Sequence, residues 1–135
     1  MPDMTTVGDP VELPDRWILP LVGQQVTQIH VSYQLGLMLD SGALVELETT
    51  AFIRWADGGT NSINPATQDV APSLSLFGTT VTDATAYKTG RLVLTFDSST
   101  NLTIDPHPRY EAWNITPQGG SRFVAMPGGD IAVWL

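Results

Sequence analysis

The chain has 135 residues, no cysteine, and a net charge of −8 from six Lys plus Arg against 14 Asp plus Glu. This length suits a single domain with its own core, and the lack of cysteine excludes disulfides, thiol catalysis and cysteine metal sites. The acidic balance disfavours nucleic acid and anionic membranes and favours a basic protein partner.

The first fifteen residues are polar and proline-containing, and they predict a flexible arm over 1–15 ahead of a single β domain over 16–135. They contain no basic region followed by an apolar run, so no signal peptide is predicted. No apolar stretch approaches the length of a membrane span. A cytoplasmic protein is therefore expected. Trp17, Ile18 and Leu19 then form an apolar patch ended by Pro20, which predicts an edge strand or a lid on the core.

The following segments contain the same pattern twice, over about 21–55 and 76–113. The offset between the copies is 55 residues at first and 57 afterwards, as a two-residue insertion in one turn would produce. Such a repeat predicts two structurally equivalent units related by a pseudo-twofold axis. The identities are Leu21, Gly23, Val26, Thr27, Leu35, Leu37, Asp40 and Ser41, which recur as Leu76, Gly78, Val81, Thr82, Leu92, Leu94, Asp97 and Ser98.

Each copy alternates apolar and polar residues as three short strands, the first copy beginning with a half-buried strand through Ile29, Val31 and Tyr33. Val26 and Val81 are out of phase with the strands that they precede, which predicts a bulge at both places. Two aromatic pairs with the same spacing are interpreted as an extension of the repeat: Phe52/Trp55 and Tyr110/Trp113. The predicted core comprises Leu37, Leu39, Leu94, Phe96, Leu102 and Ile104.

Between the copies, Asn64-Pro65 is typical of a helix start, and one short helix is predicted from Pro65 to Phe77, broken or kinked at Pro72. After the second copy, strands are predicted over 110–116, 122–126 and 131–135. The last strand is apolar on both faces, so it should be central or covered, and a homo-oligomer could form through it. The predicted fold is all-β: two related antiparallel units in a sandwich or open barrel, with one short helix between them.

The densest polar cluster is the segment Asp105–Glu111. A general acid–base pair of His107 with Asp105 or Glu111 is chemically conceivable there. The alternative is a structural or interface loop in which Asp105 and Arg109 form a surface pair with His107 between them. Because prolines flank His107 and hold the backbone extended, Asp105, His107 and Arg109 are expected to share one face.

Glu46 and Glu48 share one strand face, and Asp105 repeats the position of Glu48. They are interpreted as a charged edge that blocks aggregation or as a patch for a basic partner. His30 is expected to face solvent, and two isolated histidines predict no metal site. No cofactor motif is present, so no cofactor and no catalytic residue is predicted. The candidate partner-binding residues are Glu46, Glu48, Asp105, His107, Arg109, Tyr110 and Glu111.

The chain resembles a family of small uncharacterised bacterial proteins, most specifically through Tyr110-Glu111-Ala112-Trp113 and through Pro127-Gly128-Gly129 with Ala132-Val133-Trp134. In size and character, proteins of this kind are similar to immunity proteins or accessory partners of secreted bacterial toxins. The resemblance implies no transferable activity and no catalytic residues.

The expected function is that of a non-enzymatic protein-binding module, an immunity protein that inhibits a bacterial toxin in the cytoplasm. A small-molecule-binding protein or hydrolase that uses the Asp105–Glu111 loop is the alternative. A structural subunit that covers its last strand in an oligomer is the third. A deep cleft with His107 and Glu111 converging would favour the second hypothesis, and a flat acidic face with exposed aromatic residues would favour the first.

Overall fold

The computed structural model describes residues 9–134 and folds them into thirteen β-strands and two short 3-10 helices. Within this range, no helix has the length and hydropathy that a membrane span requires. The 3-10 helices are Pro65–Thr67 and Ala71–Leu76. The strands are β1 (Val11–Glu12), β2 (Arg16–Ile18), β3 (Val26–Val31), β4 (Leu35–Leu39), β5 (Leu44–Leu47), β6 (Ala51–Arg54), β7 (Thr60–Ile63), β8 (Val81–Tyr87), β9 (Leu92–Phe96), β10 (Asn101–Ile104), β11 (Trp113–Thr116), β12 (Arg122–Ala125) and β13 (Ile131–Trp134).

The strands form two antiparallel sheets around one hydrophobic core. One sheet has seven strands in the order β1-β2-β8-β9-β10-β6-β7, and the other has six in the order β13-β12-β11-β5-β4-β3. Alternation along each strand decides which side chains enter the core: Leu92, Leu94 and Phe96 are buried, whereas Val93 and Thr95 between them are half-exposed. The predicted all-β fold is confirmed as two open sheets rather than a closed barrel. All six predicted core residues are buried.

The internal repeat is confirmed strand by strand. The meander β3-β4-β5 has the same registers as β8-β9-β10: Leu37 lies opposite Val45, and Leu94 lies opposite Leu102. The register slips after Val26 in the first copy and after Val81 in the second, so the bulge predicted at both places is present.

The two copies contact each other through counterpart residues. Gln25 and Thr80, which occupy the same position in the repeat, form an isolated antiparallel bridge with each other. Four backbone hydrogen bonds surround this bridge in two symmetric pairs. Val26 N–H donates to Thr79 C=O (2.9 Å) and Val81 N–H to Gln24 C=O (2.8 Å), while Gly23 N–H donates to Val81 C=O (2.8 Å) and Gly78 N–H to Val26 C=O (2.9 Å).

The repeated aspartates brace the same region. Asp40 Oδ1 accepts a hydrogen bond from the Gln25 N–H (3.1 Å), and Asp97 Oδ1 accepts one from the Thr80 N–H (3.2 Å). In return, the Asp40 N–H donates to the Gln25 C=O, and the Asp97 N–H donates to the Thr80 C=O, both at 2.9 Å. The identities between the two copies therefore mark the pseudo-twofold axis, which passes between Gln25 and Thr80.

The fourth strand of each copy lies in the sheet of the other copy. β6 follows β5 in the chain but pairs with β10, and β11 follows β10 but pairs with β5. These registers place Ile53 opposite Leu102 and Ile115 opposite Val45, so Trp113 is the counterpart of Ala51.

The proposed equivalence of Phe52/Trp55 with Tyr110/Trp113 is therefore wrong. The connection before β11 is longer than the one before β6, which shifts the aromatic spacing out of structural register. Trp113 is fully buried, Trp55 is half-buried, and Tyr110 lies in a loop.

The single helix expected over 65–77 is replaced by the two 3-10 helices. Asn64 caps the first as predicted, since its Oδ1 accepts a hydrogen bond from the Ala66 N–H (3.1 Å). Pro72 lies in the first turn of the second helix, where its missing N–H costs nothing, so the predicted break falls just before it.

The outer strands differ from the predictions in three places. Residues 1–8 of the predicted arm lie outside the described residues, but Val11–Glu12 pair with β2, so β2 is second from the edge rather than the edge itself. In β3, Val31 is half-exposed, and Tyr33 beyond it is 78% exposed, because β3 forms a sheet edge. The last strand, expected to be central or covered, is the edge strand of the six-stranded sheet.

Leu94→Ala is expected to lower the free energy of unfolding by about 2–5 kcal/mol, because it removes a buried side chain and leaves a cavity between the sheets. Leu74→Ala is the matched control, since Leu74 is 58% exposed and its truncation should change stability by less than about 0.5 kcal/mol. Denaturant unfolding measures both. Equal losses in the two variants would contradict the assignment of Leu94 to the core.

Candidate functional site

Five of the seven candidate partner-binding residues line one open cleft of about 530 Å³. Its walls are the turn after β5, the start of the first 3-10 helix and the long connection between β10 and β11. Glu46 and Arg109 do not line it. The five residues that do are Glu48, Asp105, His107, Tyr110 and Glu111.

Glu48 and Asp105 reach this cleft as counterparts in the repeat, each immediately after the third strand of its copy. Each accepts a hydrogen bond from a residue across its own hairpin: Gln34 Nε2 donates to Glu48 Oε1 (3.1 Å), and Arg91 Nε donates to Asp105 Oδ1 (2.6 Å). Gln34 and Arg91 are themselves counterparts. The twofold thus places two carboxylates in one cleft, one held by an amide and the other by a cation.

The expected pair of Asp105 with Arg109 is replaced by the ion pair with Arg91. The register of the β9–β10 hairpin decides this, because Leu92 lies opposite Ile104 and so brings Arg91 beside Asp105. The hydrogen bond and the charge of Asp105 raise the pKa of Arg91 above its ordinary value. Arg91 was not among the candidate residues predicted from the sequence. The repeat could have identified it, because Arg91 occupies the position that Gln34 has beside Glu48 in the first copy.

Glu48 is held without a cation. Its second oxygen, Oε2, accepts a hydrogen bond from Asn114 Nδ2 (3.2 Å). Asn114 is itself buried, and its Oδ1 has no hydrogen-bond partner among residues 9–134. The carboxylate of Glu48 is therefore fixed in position by two neutral amides, and no described cation forms an ion pair with it.

The interpretation of Glu46 and Glu48 as a charged sheet edge is wrong. β5 lies inside the six-stranded sheet, between β4 and β11. Glu46 lies opposite Asn114 on one side and Gly36 on the other, on the outer face of the sheet and away from the cleft. His30 is exposed as expected, and one of its ring nitrogens, Nε2, is 2.9 Å from Gln28 Oε1.

His107 is half-buried in the cleft wall, with its ring centroid 4.9 Å from that of Tyr110. Its Nδ1 accepts a hydrogen bond from the Arg109 N–H (3.0 Å), so the proton of the neutral ring is on Nε2. Within the described part of the chain, no carboxylate is hydrogen-bonded to this ring. Asp105, the nearest acid in sequence, is engaged by Arg91. The arrangement offers acceptors and one ring N–H to a bound group.

The cleft loop is held by the glycine-rich turn before β13. Gly128 N–H donates to His107 C=O (2.9 Å), and Trp113 Nε1 donates to Gly90 C=O (2.8 Å). Gly129 has a φ of +108°, and a Cβ there would lie 2.4 Å from Thr89 O. Trp113 and Gly129 thus both contact the Thr89-Gly90 turn, and Gly128 holds the loop that carries His107.

A second cleft of about 500 Å³ adjoins the first. It is lined by Tyr87, Thr89 and Val93, and it shares Asp105 and Pro106 with the main cleft. Arg91, the ion-pair partner of Asp105, lines this second cleft only. Among residues 9–134, no three His, Asp or Glu side chains are grouped as a metal site would require.

Comparison with known proteins assigns the chain to a family. Residues 17–135 match the family described as "Family of unknown function (DUF6188)", and the chain belongs to this family. The expected membership of an uncharacterised family is confirmed. No curated protein and no solved structure matches the chain significantly.

Gly129→Ala is expected to destabilise the protein more than Gly128→Ala. Both glycines have positive φ (+108° and +87°), which costs a residue with a Cβ about 1–2 kcal/mol. Only at Gly129 does the added Cβ collide with a neighbour, which adds about 1–3 kcal/mol, whereas nothing lies within 4 Å at Gly128. Thermal unfolding measures the difference. Equal destabilisation would show that the close approach of the two turns is unimportant.

Proposed function

We propose that this member of the family is a non-enzymatic protein-binding module whose cleft receives a basic segment of a protein partner. The observation that carries the proposal is the convergence of Glu48, Asp105 and Glu111 on one open cleft. Opposite charge at a contact surface steers encounter and selects partners of complementary charge.

The cleft keeps a net negative charge after its internal pairs are counted. Asp105 is neutralised by Arg91, but Glu48 is bound only by amides, and Glu111 forms no ion pair with another described residue. The chain as a whole carries −8, so the long-range field attracts the same partner.

An exposed aromatic ring stands beside these charges. Tyr110 is 63% exposed and stacks at a tilt on His107. Tyrosine is enriched at binding hot spots because its ring offers a rigid apolar surface and its hydroxyl can hydrogen-bond. An acidic cleft with an exposed ring at its rim suits a lysine or arginine side chain, which carries both an aliphatic stem and a charge.

The partner that we propose is a bacterial toxin, which this protein inhibits in the cytoplasm of the cell that makes both. The resemblance to small bacterial proteins of the immunity type supports this, as do the lack of cysteine and the acidic charge. An inhibitor of a nuclease or of another basic toxin needs recognition rather than catalysis.

The alternative is a small-molecule-binding protein or hydrolase that uses the same cleft. It is favoured by one observation: His107 and Glu111 line the cleft together, and its volume of about 530 Å³ is that of a ligand site.

Binding of a basic probe should be lost selectively with the cleft charges. A ten-residue lysine peptide is titrated into the isotope-labelled protein, and amide shifts should move in residues 48–50, 105, 107 and 109–111. Glu111→Gln and Glu48→Gln should each weaken binding about two- to fivefold, the range of a partly exposed charge pair. Asp57→Asn is the control, because it removes the same charge at a distant place. Asp57 is exposed in the turn of the β6–β7 hairpin, whereas the cleft lies at the opposite, open end of this hairpin. Equal weakening in all three variants would indicate only non-specific attraction.

The toxin hypothesis is tested in cells. Co-expression with a toxin encoded beside this gene should restore growth, and the double variant Glu48→Gln/Glu111→Gln should protect less well at equal expression. Unchanged protection by the double variant would exclude the cleft as the binding site. Turnover of a substrate panel by the purified protein, abolished in folded His107→Ala, would support the alternative.

A further inference from the structure

We propose that β13 pairs antiparallel with β13 of a second copy of this chain. The two six-stranded sheets would then join into one continuous sheet around a twofold axis at Ala132. This proposal does not depend on the cleft or on its partner.

The outer edge of β13 has no paired strand among the described residues. Met126 N–H donates to Asp130 C=O (2.7 Å), which closes the β12–β13 hairpin, and hydrogen-bonded pairs alternate from there. Ala132 and Trp134 therefore direct their backbone groups at β12, whereas Ile131 and Val133 direct theirs outward. Within residues 9–134, no backbone group outside β12 is hydrogen-bonded to β13. A strand in this state is a template for another strand.

The other three edges of the two described sheets are protected against strand pairing, and the edge at β13 is not. β1 has only two residues, β7 begins Thr-Asn-Ser with all three exposed, and β3 contains the bulge and exposes His30. Short length, polar residues and bulges are the devices that prevent edge pairing. β13 has the sequence Ile-Ala-Val-Trp, with no proline, charge or bulge.

The alternation of faces along β13 fixes the register of the pair. Residues opposite each other in an antiparallel pair must lie on the same face of the sheet. With the axis at Ala132, Ile131 lies opposite the partner's Val133. Both are half-buried against the core, so the inner apolar row continues across the junction. Ile131 and Val133 are also the two residues with outward backbone groups, so this register makes four new backbone hydrogen bonds.

Charge complementarity across the junction favours a second copy over another protein. In this register the partner's Asp130 lies opposite Trp134. Arg122 of the neighbouring strand lies over the Trp134 ring, with its guanidinium carbon 5.3 Å from the ring centroid. Arg122 forms no ion pair with any described residue, and neither does Asp130. The twofold axis thus brings Arg122 of each copy towards Asp130 of the other copy, with a Trp134 ring between them at both places.

The oligomeric state is the first test. Sedimentation velocity from about 1 µM to about 1 mM at physiological ionic strength should show a concentration-dependent dimer. Ala132→Lys should abolish the dimer, because it places two lysines opposite each other at the axis, and its melting temperature should stay near that of the wild type. Gln28→Lys is the control, since Gln28 lies on the outer face of the edge strand β3. A monomer at every concentration would overturn the proposal.

A single cysteine tests the register, since the chain has none of its own. Ala132 and its copy form a non-hydrogen-bonded pair with Cα atoms about 4.5 Å apart, within the range of a disulfide. Under mild oxidation, Ala132→Cys should form a covalent dimer much faster than Gln28→Cys. Equal rates would overturn the pairing.

Charge reversal tests the choice of partner. Arg122→Asp and Asp130→Arg should each weaken the dimer, since each places like charges across the junction, and the double variant Arg122→Asp/Asp130→Arg should recover it. Dimerisation that survives both single variants unchanged would contradict the proposed contact between Arg122 and Asp130.

Discussion

The backbone contact across the pseudo-twofold axis is the constraint on which the rest of this structure depends. Gln25 and Thr80 bridge each other, four symmetric hydrogen bonds surround them, and Asp40 and Asp97 bind the adjoining amides. Buried or shielded peptide groups must find partners, and here each copy supplies the partners of the other. Neither copy supplies all the hydrogen-bond partners of this segment by itself, so each copy depends on the other at this contact.

The cleft is a product of the same symmetry. Because each copy sends its fourth strand into the opposite sheet, the chain leaves β5 and β10 in directions that bring Glu48 and Asp105 to one place. Their supports are counterparts as well, Gln34 for one and Arg91 for the other. Because one support is an amide and the other a guanidinium, Asp105 has a cationic partner and Glu48 has none among the described residues.

Departure from the symmetry supplies the recognition elements. The connection between β10 and β11 is longer than its counterpart, and the added residues carry His107, Tyr110 and Glu111. Hydrogen bonds to neighbouring turns hold this loop in place. Its backbone is bound by the Gly128 turn, and the neighbouring Trp113 is bound to Gly90. A rigid scaffold with one specialised loop is the usual division of labour between stability and binding. The strand β13 is a second departure from the symmetry. It lies beyond β12 in one sheet, whereas no described strand lies beyond β7, the counterpart of β12, in the other sheet.

The sequence by itself determined the all-β class, the duplicated meander, the paired bulges and the buried set from Leu37 to Ile104, because these follow from alternation and repetition within short windows. It also identified the Asp105–Glu111 loop as the densest polar segment. Only the tertiary structure decided that the fourth strands are exchanged, that Asp105 pairs with Arg91 rather than Arg109, and that β5 is interior while β13 is an edge. Those outcomes depend on strand order and register between segments far apart in the chain. The alternating pattern of a single strand is the same whichever neighbour it acquires, so it carries no information about them.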